Sequence, residues 1–493
     1  TSYSQDKEFY ISGGYSGSEG DLGVIQDNPL YYFFQFATAT ASRTLEGAEA
    51  LYTRNNSYYG RLSYTFKDRY MMQVSLRADA ADSSILPSDN KWGYFPAVSL
   101  GWTISEEPFM SGVKDVLPYW KLRASWGQNG STATLGDYLY ASVIGSSGIY
   151  PIGNSTNYLP AYKPTSTGNN DLKWETSEQF NIGTDLRLLD DRLTFTMDWF
   201  LKKTKDLLIS SYTPSTVVGV TASPINAGDV ENRGFEFELG WQDTVGDFHY
   251  SINANAATLH NEVTYLYEAL SNGISGVSYR FSPITRFEKG YPAWHYYGYQ
   301  FTGIDPTNGE AMFADVNGDG EVTEADKTDI GSGIPKVTYG LTFTAAWKNF
   351  DFAIFGSGAA GHQIFSALNR VDYAVNKLTV FTDDRWTPEH TNATNPKAGA
   401  SSQTDWMQSS ASVFDGSYFK IKQIQLGYSI PKSLLEKVML SNARVYVSLE
   451  DFFTFTEYPG FDPEIAGTGN ALGVDFGSYP TAKKVVFGLN ITF

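Results

Sequence analysis

Apolar and polar side chains alternate with a period of two along most of this chain. From Val485 to the end the odd positions are Val, Phe, Leu, Ile and Phe, while most even ones are small or polar. A strand turns successive side chains to opposite faces, so this segment has one apolar face and one mostly wet face. Phe235, Phe237, Leu239 and Trp241 alternate in the same way with Gly234, Glu236, Glu238 and Gly240. So do Phe248, Tyr250, Ile252 and Ala254 with the His, Ser and Asn residues between them, and Val337, Tyr339, Leu341 and Phe343 with Thr338, Gly340 and Thr342. Leu193–Trp199 and Tyr70–Leu76 repeat the pattern. Between 417 and 430 the apolar parity shifts, from Phe419 and Ile421 to Ile424, Leu426 and Tyr428, which predicts a bulge near Gln423.

The connections supply a second regularity. They are tight at Lys67-Asp68, Asp190-Asp191, 243–247 and Lys348-Asn349, and moderate at 106–119 and 431–441, the latter helical after Pro431. They are long at 80–93, 129–173, 207–231, 260–335, 361–416 and 453–482. From Ser57 onward short and long connections alternate, as an up-and-down barrel with turns at one rim and loops at the other requires. Soluble β-sandwiches also alternate, but their loops are rarely sorted by length over so many strands. About thirteen strands follow Ser57, with one or two more near Leu30–Ala41, at the ~10-residue length that crosses a bilayer. The predicted fold class is therefore all-β: a transmembrane, up-and-down antiparallel β-barrel with about 14 strands in this chain. That order puts Phe493 on the periplasmic side of a Gram-negative outer membrane.

Composition supports a barrel. Of 493 residues, 33 are Tyr, 32 Phe and 11 Trp, a richness suited to membrane-rim girdles. The absence of Cys excludes disulfides and thiolate metal sites, and a net charge of -18 argues against a nucleic-acid partner. No window of ~18 apolar residues offers a helical span. A mean hydropathy of -0.29 would suit a soluble protein, but in a barrel only alternate residues face lipid. Thr1-Ser2-Tyr3 opens without a signal peptide, so a mature chain or a fragment is expected.

Several stretches resemble the C-terminal half of the SusC/RagA family of TonB-dependent outer-membrane transporters. They are Tyr58–Tyr64 with Lys67–Tyr70, Trp92–Trp102 running into Ser105-Glu106-Glu107-Pro108-Phe109, Asp171–Glu175, Asn232–Glu236 and Asp315–Gly320. The most specific is Tyr458-Pro459-Gly460-Phe461-Asp462-Pro463-Glu464. The resemblance implies a plugged barrel of about 22 strands, cargo of oligosaccharides or peptides, a SusD-like lipoprotein as hinged lid, and energy from the TonB complex. Against that pattern the chain lacks the carboxypeptidase-like extension, the TonB box, the plug and roughly eight strands. Unpaired edges are not viable in lipid, so an N-terminal plug and barrel portion is expected from a second polypeptide or from the rest of the same one. Oligosaccharide is the preferred cargo; a peptide importer, a passive porin and a soluble adhesin are the alternatives.

Asp315-Val316-Asn317-Gly318-Asp319-Gly320-Glu321 and Asp326 have the spacing of a calcium loop. Oxygens of Asp315, Asn317 and Asp319, the carbonyl of Glu321 and the position-12 residue Asp326 are the expected ligands, with Gly320 allowing the turn. Asp326 replaces the longer Glu of helical EF-hands, as in dockerin-type loops. Such an ion would rigidify the outer loop 260–335. The aromatic run Tyr291, Trp294, Tyr296, Tyr297, Tyr299 and Phe301 favours packing within that loop, with Trp294, Tyr296 and Tyr297 as candidate cargo contacts. Loops 129–173 and 361–416 are further candidate ligand walls or lid-docking surfaces. Gly356–Gly361 has dinucleotide-fingerprint spacing but lies on a tight hairpin, not a βαβ unit. No HExxH, GxSxG or P-loop occurs, and no catalytic role is expected.

Overall fold

A computed structural model describes residues 2–16, 42–142, 144–151, 158–164, 166–210, 220–280, 282–370, 378–435, 440–464, 467 and 469–493. The strands of its main sheet are β1 Ser2–Ser16, β2 Ser42–Phe66, β3 Tyr70–Ala80, β4 Trp92–Thr103, β5 Tyr119–Ser131, β6 Glu175–Leu188 and β7 Leu193–Ile209. They continue as β8 Ile225–Val245, β9 Phe248–Thr258, β10 Val337–Trp347, β11 Phe350–Ala360, β12 Tyr418–Ser429, β13 Asn442–Thr456 and β14 Lys484–Thr492. Each of these pairs with the next, so spatial order follows chain order, the up-and-down topology expected, and one further strand, His260–Leu266, pairs with β8 off this path. The strand anticipated near Leu30–Ala41 falls outside the described residues. The reading of the pattern passed over β1 and the first half of β2, whose polar sequences hide the alternation.

Two of the tight connections are turns in which both central residues are left-handed: Lys67 and Asp68 at φ 51° and 52°, Asp190 and Asp191 at 59° and 63°. This is the type I′ geometry whose twist matches antiparallel strands, and Asp tolerates it better than most residues. The moderate connection after β12 holds a short helix, Lys432–Leu435. The expected bulge is present at Lys422: Phe355 faces Gln423, but the next residue, Gly356, faces Ile421.

The chain folds as two compact units. The first comprises Thr1–Gly60, Leu76–Tyr94 and Thr132–Trp174. There Leu86 and Leu172 are fully buried, Trp174 Nε1 donates to the Lys91 carbonyl at 3.2 Å, and Asp82 accepts the backbone N–H of Arg54 and of Ser84, each at 2.8 Å. The Asp171–Trp174 stretch thus closes this unit.

The second unit comprises Arg61–Ser75, Phe95–Ser131 and Glu175–Phe493. Register shows why its sequence alternates. Trp241, Ile252, Phe343, Ile354, Ile424, Leu449 and Val485 stand opposite one another across β8 to β14. One residue along, the facing set is Gly240, Asn253, Thr342, Phe355, Gln423, Glu450 and Lys484. A one-residue slip would exchange the faces, so lipid on one side and water on the other fixes the register. Phe487 is 81% exposed, as a ring on the outward face of a membrane barrel is.

The polar face is braced by ion pairs. The Arg123 guanidinium on β5 reaches Asp185 on β6 at 2.8 and 2.9 Å, and Asp198 on β7 at 3.1 and 2.9 Å. Gly183 lies between, and a Cβ there would meet Asp198 Oδ1 at 2.0 Å. Glycine is what lets one arginine bridge three strands.

Candidate functional site

Three long connections of the second unit fold onto one another. Tyr279, Ile284 and Tyr296 come from 260–335, Phe365, Ala367 and Met407 from 361–416, and Val474 from 457–483; together they form one buried cluster. The Tyr296 hydroxyl donates to the carbonyls of Gln363 at 3.0 Å and Leu472 at 3.3 Å, tying all three segments at one atom. Burial pushes its phenol pKa up, so it stays a neutral donor. Gln363–Ser366 pairs antiparallel with Val413–Asp415 and parallel with Val474–Asp475. A second cluster joins Ile304 and Ala311 to Phe381 and Trp406. The connections therefore form a packed body with its own cores.

Glu310 locks the second cluster. It accepts the N–H and hydroxyl of Ser402 at 2.9 and 2.7 Å and those of Ser401 at 3.2 and 3.0 Å, and pairs with Lys397 at 2.9 Å. The Ser402 donors hold its carboxyl well below the usual carboxylate range. A depressed carboxylate contributes stability above its unfolded pKa and loses it as pH falls through the folded value. We expect the protection of amides at 397–403, relative to unstructured peptide at the same pH, to fall on acidification below about pH 4.3, the ordinary Glu value. Glu310→Gln should be weakly protected at every pH and lose that dependence.

The Tyr458–Glu464 stretch fastens the last long connection to the sheet. The Tyr458 hydroxyl donates to Asp475 at 2.7 Å. Asp462 and Glu464 hold buried Lys420 of β12 at 2.6 and 3.1 Å, and Glu464 also pairs with Lys422 at the bulge. Bulge and acidic motif form one device. Each was legible in the sequence, but their meeting was not, because about 40 residues separate them.

The expected calcium ligands lie along one loop, where their side-chain oxygens accept from its backbone. Asp315 accepts the N–H of Gly318 at 2.7 Å and of Gly320 at 2.8 Å; Asn317 accepts that of Asp319 at 2.8 Å, and Asp319 that of Glu321 at 2.9 Å. Gly318 and Gly320 have φ of 74° and 92°, which the turns require. Asp326 is buried and accepts N–H bonds from Val316, Asn317 and Thr323, closing the loop; these bonds lower its pKa, Thr323 foremost. Among the described residues no three His, Asp or Glu side chains converge closely enough to hold a metal ion. An oxygen set of the expected kind also draws on Asn317 and the Glu321 carbonyl.

Of the candidate cargo contacts, Tyr296 is sealed in the core. Trp294, half-buried, packs on Phe287 with ring centroids 5.3 Å apart, and half-buried Tyr297 lies 4.2 Å beneath the Arg286 guanidinium. Rings open to solvent in the long connections include Tyr265, Tyr267 and Tyr291 and, more exposed, Phe461, Phe476 and Tyr479, the last 92% exposed. Periodicity could not single out the last three, since they lie in irregular chain.

The family model described as TonB dependent receptor-like, beta-barrel matches residues 1–449. The chain belongs to that family. It is a family of outer-membrane receptors and transporters, not an enzyme class. This TonB-dependent receptor barrel is 31% identical over 462 residues to the TonB-dependent receptor SusC of Bacteroides thetaiotaomicron, covering 90% of this chain and 44% of that protein. It is 30% identical over 465 residues to TonB-dependent receptor P3 of Formosa agariphila, covering 89% and 45%. The chain thus spans a little under half the length of these relatives. The solved structure of the RagAB peptide transporter matches with a TM-score of 0.77 at 23% identity, over 93% of this chain and 49% of that one, a likeness of fold.

Proposed function

We propose that this chain is the wall and outer-loop portion of a SusC-like importer driven by TonB through a plug that the rest of the transporter supplies. Its short turns and Phe493 face the periplasm, and its long connections form the outer surface that receives cargo and docks a SusD-like lipoprotein lid. The observation that carries this reading is the packed body built from three long connections around Tyr296. A preorganised surface loses little entropy on binding.

Oligosaccharide is the cargo we favour, because flat rings open to water stack on sugar faces. Phe461, Phe476 and Tyr479 take the contact role first given to Trp294, Tyr296 and Tyr297. Tyr479→Ala in the complete transporter should weaken oligosaccharide binding about tenfold, worth ~1.4 kcal/mol, without changing thermal stability. Calorimetry that finds peptides bound and sugars ignored would move the assignment to the peptide reading, which the likeness to RagAB favours. Ion conductance of the complete transporter in planar bilayers, comparable to an open pore, would instead support a passive porin.

Calcium is proposed for the loop at 315–326, held by Asp315, Asn317, Asp319, the Glu321 carbonyl and Asp326. Chelation should raise protease cleavage within that loop several-fold; unchanged cleavage would remove the ion from the account.

A further inference from the structure

Unlike the tight turns at Lys67-Asp68 and Asp190-Asp191, the connection 104–118 between β4 and β5 is long enough to fold on itself. Successive turns close it. The Met110 N–H donates to the Glu107 carbonyl at 3.0 Å, that of Val113 to Met110 at 3.0 Å, and those of Val116 and Leu117 to Val113 at 3.1 and 2.9 Å. Its backbone therefore asks little of water. Ile104, Ser105 and Met110 are buried, whereas Phe109, Val113 and Val116 are 69%, 47% and 57% exposed. Spacings of four and then three residues place these three along one side of a helically turned segment.

Glu107 decides on which side of the wall this segment starts. Trp102 stands on the apolar face: it faces Leu122 of β5, and two residues back Leu100 faces Ala124, which faces Ile182 of β6. Tyr70 stacks on Trp102 with ring centroids 6.4 Å apart, so it shares that face. Phe66 and Tyr64 continue the row, each ring 6.4 and 6.5 Å from the one before. The buried Glu107 carboxylate accepts the Tyr70 hydroxyl at 2.5 Å and the Trp102 Nε1–H at 3.1 Å, and pairs with Arg69 at 3.3 Å. Both aromatic donors stand on the outward face, so the carboxylate that accepts them lies outside the sheet and not under the lumen. Phe109 follows two residues later. Charge does not attract this segment to an anionic surface: Arg69 neutralises Glu107, Lys114 neutralises Glu106 at 3.2 Å, and the negative Asp115 is left over. What the segment offers is apolar surface, continuous with a face that meets acyl chains.

We propose that 104–118 is an interfacial foot. It lies against the outer face of the wall in the headgroup layer of the leaflet at the short-turn end, with Phe109, Val113 and Val116 at the acyl boundary and Glu107 as its tether. Continuity names lipid as the occupant, since the row Tyr64, Phe66, Tyr70 and Trp102, to which Glu107 ties the foot, is the aromatic belt of that face. A backbone closed on itself and an apolar side whose neighbouring charges are paired are what such a position demands. The foot fixes how deeply this side of the wall sits. The inference rests on the wall spanning a bilayer and is independent of cargo.

The test uses the complete transporter in phosphatidylcholine vesicles, with a bimane label on one introduced cysteine at a time: Phe109→Cys, Val113→Cys or Val116→Cys. This chain supplies no other cysteine. Leu239→Cys on the apolar face is the lipid reference, and Asp247→Cys in the turn between β8 and β9 is the water reference. A lipid carrying a nitroxide near its headgroup should quench the foot labels about threefold more strongly than the label at 247, and iodide about threefold less. Adding Glu107→Ala should bring all three foot labels close to the behaviour of the label at 247 while the label at 239 stays unchanged. Foot labels as open to iodide as the label at 247, foot labels shielded from both quenchers, or lipid quenching that survives Glu107→Ala would overturn the proposal. In each of those cases the label at 239 would still report lipid. Were it to report water, the barrel reading itself would fall and the foot with it.

Discussion

Tyr296→Ala is expected to open the three long connections together. The ring is fully buried, with Phe365 edge-on at 5.9 Å, and its hydroxyl serves two carbonyls from two other segments. Truncating a buried aromatic removes its transfer energy and leaves a cavity, at a cost of ~3–5 kcal/mol. Two carbonyls also lose their donor. Because the tie is shared, the loss should appear at once in 277–298, 363–367 and 472–475 as local opening seen by native-state hydrogen exchange. Amides of β8 to β14 should keep their protection, since ladder pairing does not pass through Tyr296. Tyr296→Phe keeps the ring and should cost only ~1–2 kcal/mol, the price of the unmet carbonyls. A response confined to 295–298 would mean the three connections are independently stable.

Lys420→Met is the second change expected to act strongly. The Lys420 side chain is 3% exposed and neutralises Asp462, itself 12% exposed, at 2.6 Å. Burial drives the Asp462 carboxyl up, but the hydrogen bonds from Lys420 and from the backbone N–H groups of Thr481 and Glu464 together offset it, so its pKa lies below the ordinary value. Removing one partner of a buried pair strands the other charge and costs ~3–5 kcal/mol, whereas removing both is far milder. Lys420→Met should therefore free the segment 457–483 to proteases, and adding Asp462→Leu should restore most of the protection. The pH response should weaken. With Lys420 present, Asp462 favours the closed segment above its unfolded pKa and loses that effect as pH falls. Without Lys420, only the backbone N–H groups of Thr481 and Glu464 oppose burial, so that loss on acidification should be smaller. A loss of protection in Lys420→Met that adding Asp462→Leu deepens would contradict the pairing.

The wall was legible because its physics is local. Lipid on one face and water on the other impose a period of two on every strand, so the strands from Ser57 on, the sorted connections and a bulge near Gln423 could be read from the sequence. β1 escaped for a local reason too: Ser2–Ser16 is too polar for alternation to show. The long connections were readable only as lengths. What makes them a body is Tyr296 meeting Leu472 and Lys420 meeting Asp462, contacts set by tertiary folding and not by spacing. The same limit applies to the exposed rings, since nothing in Gly477-Ser478-Tyr479 marks Tyr479 as open while Tyr296 is sealed. The calcium loop lies between these cases. Its local turns were predictable from Gly318 and Gly320, but the burial of Asp326 as a backbone clamp was not.

The most direct measurement is a nitroxide scan of β14 in the complete transporter reconstituted in lipid, with labels at each position from 485 to 492. Labels at Val485, Phe487, Leu489 and Ile491 should collide with oxygen dissolved in the bilayer, and labels at Val486, Gly488 and Asn490 with a water-soluble nickel chelate, alternating at every step. Uniform accessibility to the chelate along β14 would contradict the assignment of one face to hydrocarbon.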